Sequence, residues 1–133
     1  MARLNLALGF TDIPMSSLAD EFERGILGEE LSAVTFVRDY LQLCFDSAAT
    51  LNALTPVTVS TADQSATSGE PTFPHPLVSQ INKVVRAVEL GESTAVRFIF
   101  ADQSVISISM RPSDYPGAEA INLYRPDGSW VAK

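Results

Sequence analysis

The amino-acid sequence predicts an α+β domain in which a mostly antiparallel sheet packs with two helices. Three observations carry that expectation. Short segments alternate apolar and polar residues with a period of two, two stretches space their apolar residues for a helix, and one half of the chain matches the other. In the predicted architecture each half is a helix followed by a three-stranded meander, and a hairpin closes the C-terminus.

The elements follow in order. "RLNLALGF" alternates through Leu4, Leu6, Leu8 and Phe10 and reads as an added edge strand. "SSLADEFERGILG" (16–28) offers a serine cap, acids in its first turn, Leu18, Phe22 and Ile26 at fourfold spacing, and Gly28 as a stop. Strands are expected near 31–37, 40–46 and 50–59, with Arg38-Asp39 as a tight break and "DSAA" as a hairpin turn. Residues 60–75 lose the hydrophobic pattern, gather Ser, Thr, Pro and Gly, and read as a linker. "PLVSQINKVV" begins a second helix at Pro76, with Leu77, Ile81, Val84 and Val85 along one stripe. "VRAVEL", "AVRFIF" and "VISISM" follow as strands, and "INLYRPDGSWVA" as a hairpin turning at Pro126-Asp127-Gly128.

The match between halves sets "LSAVTF" (31–36) over "VRAVEL" (85–90), then, after one inserted residue, Leu41, Leu43 and Phe45 over Val96, Phe98 and Phe100. Repeat-like halves therefore span about 16–59 and 76–110 of a single domain, residues 1–133. Leu43, Phe45, Phe98, Phe100 and Ile106 are expected to be buried together.

Composition bounds what such a domain does. With 133 residues, 46% hydrophobic, the chain is long enough for one real core. Its formal net charge is −7, most of it in residues 1–66, where nine acids face three arginines. That sign repels a phosphate backbone and an anionic lipid surface, so neither nucleic acid nor membrane is an expected partner. No apolar run is long enough to span a bilayer, and the lone Cys44 forms no internal disulfide, which points to the cytoplasm.

Chemistry-bearing motifs are scarce. Cys44 alternates with the apolar residues of its strand and reads as a structural thiol, and the only histidine, His75, stands between two prolines. A nucleophile has no base and a metal has no ligand set, and "GILGEE" lacks the spacing of a phosphate loop. No cofactor and no metal are expected. Two stretches stand out because each gathers Arg, Asp and Tyr where a strand bends or stops: "FVRDYLQL" (36–43) and "MRPSDYPG" (110–117). With these motifs and the Asp127–Trp130 ending, the chain resembles a family of small uncharacterised bacterial proteins. That family is marked by a Phe-Val-Arg-Asp-Tyr-x-Gln-Leu strand and an Arg-Pro-x-Asp-Tyr-x-Gly-x-Glu-Ala corner. The likeness covers roughly residues 28–132 outside 60–75, and it implies a fold without an activity.

The candidate binding residues are therefore Arg38, Asp39, Tyr40, Arg111, Asp114, Tyr115 and Trp130, with no catalytic residue among them. As a corner, Pro112 would end the strand, Ser113 or Asp114 would cap a turn through "YPGAEAI", and Arg111 would pair with Asp114 or Glu119. The expected function is non-catalytic binding of another protein, adaptor-like or immunity-like. Two alternatives stand beside it: a ligand-binding or enzymatic pocket between the halves, and a self-assembling unit such as a homodimer.

Overall fold

The computed structural model describes residues 15–91 and 93–133, so the expected strand at Leu4–Phe10 lies outside the described residues. The architecture is α+β and mostly antiparallel sheet, as the alternation predicts. Helix α1 (Met15–Glu23) leads into a meander of β1 (Leu31–Val37), β2 (Tyr40–Phe45) and β3 (Thr50–Ala53). A hairpin of β4 (Val57–Ser60) and β5 (Ser65–Thr67) follows. Helix α2 (Pro74–Val78) leads into a second meander, β6 (Val85–Gly91), β7 (Ala95–Phe100) and β8 (Val105–Ser109), and a hairpin of β9 (Ile121–Tyr124) and β10 (Trp130–Ala132) ends the chain.

Two sheets result, of order β1-β2-β3-β9-β10 and β5-β4-β8-β7-β6. Each meander is thus completed by the hairpin that follows the other. Leu41, Leu43, Phe45, Leu51, Ile121 and Leu123 of one sheet share a buried apolar cluster with Val59, Val85, Phe98, Phe100, Ile106 and Ile108 of the other. All five residues expected to be buried together lie in it.

The pairing registers of the meanders run in parallel. Leu31 opposes Phe45, the register slips, and Ala33 opposes Cys44; Val85 opposes Phe100, the register slips, and Ala87 opposes Ile99. Each slip adds a residue to one strand and turns it locally. Where β1 and β6 begin, the sheets are joined by a bridge between Glu30 and Val84. Around it the Gly28 amide donates to the Val85 carbonyl and the Asn82 amide to the Leu31 carbonyl, both at 2.8 Å. Both donors are left-handed, Gly28 at φ 82° and Asn82 at φ 79°. Those are the residue types that tolerate that region with least strain.

Four expectations need correction. The strand expected over 50–59 is two strands in different sheets. Pro56 has no amide to continue a ladder, the Thr55 hydroxyl donates to the Ser109 carbonyl at 2.5 Å, and the chain crosses over at Leu54–Pro56. The polar stretch 60–75 is not only linker, since β5 pairs with β4 there and Ala66 and Phe73 are buried. A strand this short sends one small side chain into the core and leaves no periodicity to read. The first helix stops at Glu23, before a series of turns reaches Gly28. The second spans Pro74–Val78 rather than running on from Pro76 to Val85, because the chain turns through Gln80–Asn82 instead.

Gln80 explains that turn. It is fully buried, its amide donates to the Pro76 carbonyl at 3.0 Å, and its oxygen accepts from the Ser104 hydroxyl at 2.6 Å. Lys83 donates to Asp102 at 2.7 Å, and that ammonium, with the Ser104 hydroxyl and amide, holds the Asp102 carboxyl well below the usual carboxylate range. Ile26 and Ala49, which stand at the corresponding places of the first half, are buried and apolar.

Candidate functional site

The β1–β2 turn presents Arg38 and Asp39 to solvent and leaves Tyr40 half-buried. They line a cleft of about 480 Å³ together with Phe36, Val37, the crossover residues Leu54–Pro56, Glu70 and Phe73 from the segment before α2, and Pro74 at its start. Phe73 is buried and meets Phe36 edge to face, ring centroids 6.3 Å apart at 87°. Phe36 remains 54% exposed and Val37 37%, so the end of β1 carries two apolar side chains into water. Glu70 is partly engaged, accepting from the Thr67 amide at 2.7 Å.

β1 is also an edge. Beyond Leu31 it pairs with β2 on one side and, among the described residues, with no strand on the other. An edge with no partner among the described residues, ending in exposed apolar side chains beside an open cleft, is the kind that can pair with an extended segment.

The second Arg-Asp-Tyr stretch lies elsewhere. Pro112–Asp114 form a 3-10 turn, entered from an extended Arg111 and left through an extended Tyr115. Asp114 does not pair with Arg111; it accepts from the Ser109 hydroxyl at 2.6 Å, whose oxygen in turn accepts from the Arg111 amide at 3.2 Å. Glu119 accepts from the Asn122 amide group at 3.4 Å, and Arg111 has no ion pair among the described residues. The turn also closes before Tyr115, not through "YPGAEAI" as expected. Arg111 and Asp114 line one shallow cleft and Tyr115 another, and neither holds Arg38, Asp39 or Tyr40. None of these three clefts is lined by both stretches.

Tyr115 packs on the core with its hydroxyl 4.0 Å from the Met110 sulfur, and burial raises its phenol above the usual value. Trp130 is 60% exposed and stacks on Tyr124 at 6.2 Å, at the far edge of the same sheet as β1. Sequence reasoning missed two features. Gln42, Asn52 and Asn122 form a hydrogen-bonded row of amides across three strands. Arg125, beside the Pro126 turn, is almost fully buried. Alternation does mark the three amides as one face of their strands, but nothing in it marks them as partners.

Asp114 is bonded inward, to the Ser109 hydroxyl. Asp114→Ala is expected to lower stability by about 0.5–2 kcal/mol, the range for losing a side-chain acceptor of this kind. Urea unfolding checks this, and an unchanged midpoint would mean that the bond to Ser109 does not hold the turn.

Comparison of the chain with protein-family models, with curated proteins and with solved structures gave no match.

Proposed function

We propose that the protein works by binding another protein, without catalysis, and that the end of β1 with its neighbouring cleft is the contact surface. One observation carries this reading: Phe36 and Val37 are exposed at a sheet edge that is unpaired among the described residues, directly beside an open cleft. Exposed aromatics that can be enclosed by a partner dominate interface energetics, whereas isolated surface charges contribute little. An adaptor-like or immunity-like role needs no more than such a surface. Among the described residues no group of three His, Cys, Asp or Glu converges, and no helix is long and apolar enough to cross a membrane.

The experiment is affinity capture from the native cell with the wild type and Phe36→Ala in parallel. A stoichiometric partner of the wild type is expected to lose about 2 kcal/mol or more of binding to the variant, because an aromatic anchor at an interface centre costs that much. The variant's own stability should fall by only about 1 kcal/mol, the value of an edge-to-face ring contact. A partner held equally well by both proteins would remove this surface from the proposal.

A further inference from the structure

The stretch that forms the corner, Arg111–Glu119, stands out when the two halves are laid over each other. The Leu54 amide donates to the Ala120 carbonyl at 2.8 Å, and the Ser109 amide donates to the Pro56 carbonyl at 3.0 Å. Further along, the Ser68 amide donates to the Val57 carbonyl and the Lys133 amide to the Ile121 carbonyl. Together with the strand registers, these bonds place Leu54 over Ser109, Thr55 over Met110, Pro56 over Ala120 and Ser68 over Lys133. Arg111–Glu119 has no counterpart: the first half crosses from meander to hairpin directly, through Thr55 and Pro56.

The clefts correspond in the same way. Phe36, Thr55 and Ser68 line the first, of about 480 Å³; Leu90, Met110 and Lys133, at the matching positions, line the second, of about 380 Å³. The extra stretch delivers Tyr115 into the second cleft, and the ring packs there beside Met110. It arrives on an extended backbone, φ −71° and ψ 124°, and Pro116 follows it. In the first cleft the smaller Thr55 stands where Met110 stands in the second, and Phe36, 54% exposed, stands where Leu90 stands.

We infer that the first cleft is a seat for one aromatic side chain carried by an extended, proline-flanked segment of the partner protein, the counterpart of Tyr115 in the second cleft. This rests on the protein-binding reading and specifies what the partner presents. The chain supplies its own model of the occupant: Asp114-Tyr115-Pro116 is such a segment, seated on a surface built from corresponding positions. Phe36 lines the cleft with its ring held edge to face by Phe73, and Arg38 and Asp39 line the same cleft beside it.

The probe is a blocked synthetic peptide with the sequence of residues 109–118, Ser-Met-Arg-Pro-Ser-Asp-Tyr-Pro-Gly-Ala, titrated into the isotopically labelled full-length protein and followed by NMR. Without its covalent tether the segment is expected to bind with a Kd of about 1 mM, the scale of the effective concentration a short linker provides. Shifts should concentrate at Phe36, Val37, Thr55 and Phe73. The same peptide with its tyrosine replaced by alanine should bind at least about tenfold more weakly, and Phe36→Ala in the protein should do the same to the parent peptide. Equal shifts with both peptides, no shifts up to about 10 mM, or shifts at Leu90 and Met110 alone would overturn the inference. Partner capture that still depends on Phe36 in such a case would show that the binding surface stands and only the aromatic occupant falls. Capture indifferent to Phe36 would remove the surface itself.

Discussion

Phe98→Ala is expected to lower the free energy of unfolding by about 3–5 kcal/mol, the usual cost of truncating a fully enclosed phenylalanine. The ring is 1% exposed and sits on β7, with Val88 of β6 opposite on one side and Ile106 of β8 on the other. Two paired strands flank it within the sheet, and the other sheet contributes to the same cluster, so the surroundings have little freedom to close over a deleted ring. Leu43 takes the matching place on β2, also 1% exposed, between Val34 and Leu51. Leu43→Ala should therefore cost a similar though smaller amount, about 2–5 kcal/mol. Equilibrium unfolding in urea reads both. A change under about 1 kcal/mol for Phe98→Ala would mean that the site collapses around the cavity, contrary to a core shared by two sheets.

Much of this core is legible in the sequence because a strand with one buried face writes its orientation as alternation. Leu41, Leu43 and Phe45, and Val96, Phe98 and Phe100, identify their strands and their inward faces without ambiguity. What alternation does not carry is which sheet a strand joins. Val57 and Val59 continue the period of Leu51 and Ala53 with a gap of one crossover, and only Pro56 hints that the ladder breaks between them. The candidate site was legible in part for the same reason. Arg38-Asp39 are read correctly as a tight break, and Pro112 as a residue that stops a strand. That the first borders an open apolar cleft while the second packs Tyr115 inward depends on contacts between distant segments. Phe36 meeting Phe73 is one of these, and the burial of Phe73 is hidden in a stretch whose composition is that of a linker.

Arg125 is the residue whose importance is least visible in the sequence, and replacing it is expected to detach the first helix. It follows β9, at the start of the terminal turn, and its guanidinium reaches back across the chain. Nε donates to the Arg24 carbonyl at 3.1 Å, Nη1 to the Ser129 hydroxyl at 3.0 Å, and Nη2 to both the carbonyl and the carboxylate of Glu21, the latter at 3.0 Å. Helices end with carbonyls that have no partner within the helix, and the Glu21 carbonyl is among the last four of α1. A cation there also opposes the negative end of the helix dipole. The planar fork meets several acceptors at once, which an ammonium cannot do. Arg125→Ala should therefore cost about 3 kcal/mol, as several charge-assisted bonds and a buried side chain are lost together. Arg125→Lys should recover less than half of that, and Arg125→Met, which keeps the apolar stem, should resemble the alanine variant. The loss should be local first: amide exchange in α1 is expected to accelerate well before the β2 and β7 amides change. If lysine restored full stability, the fork would be unimportant and charge alone would suffice. If exchange rose evenly across both sheets, Arg125 would be supporting the core as a whole rather than holding α1 to the C-terminal hairpin.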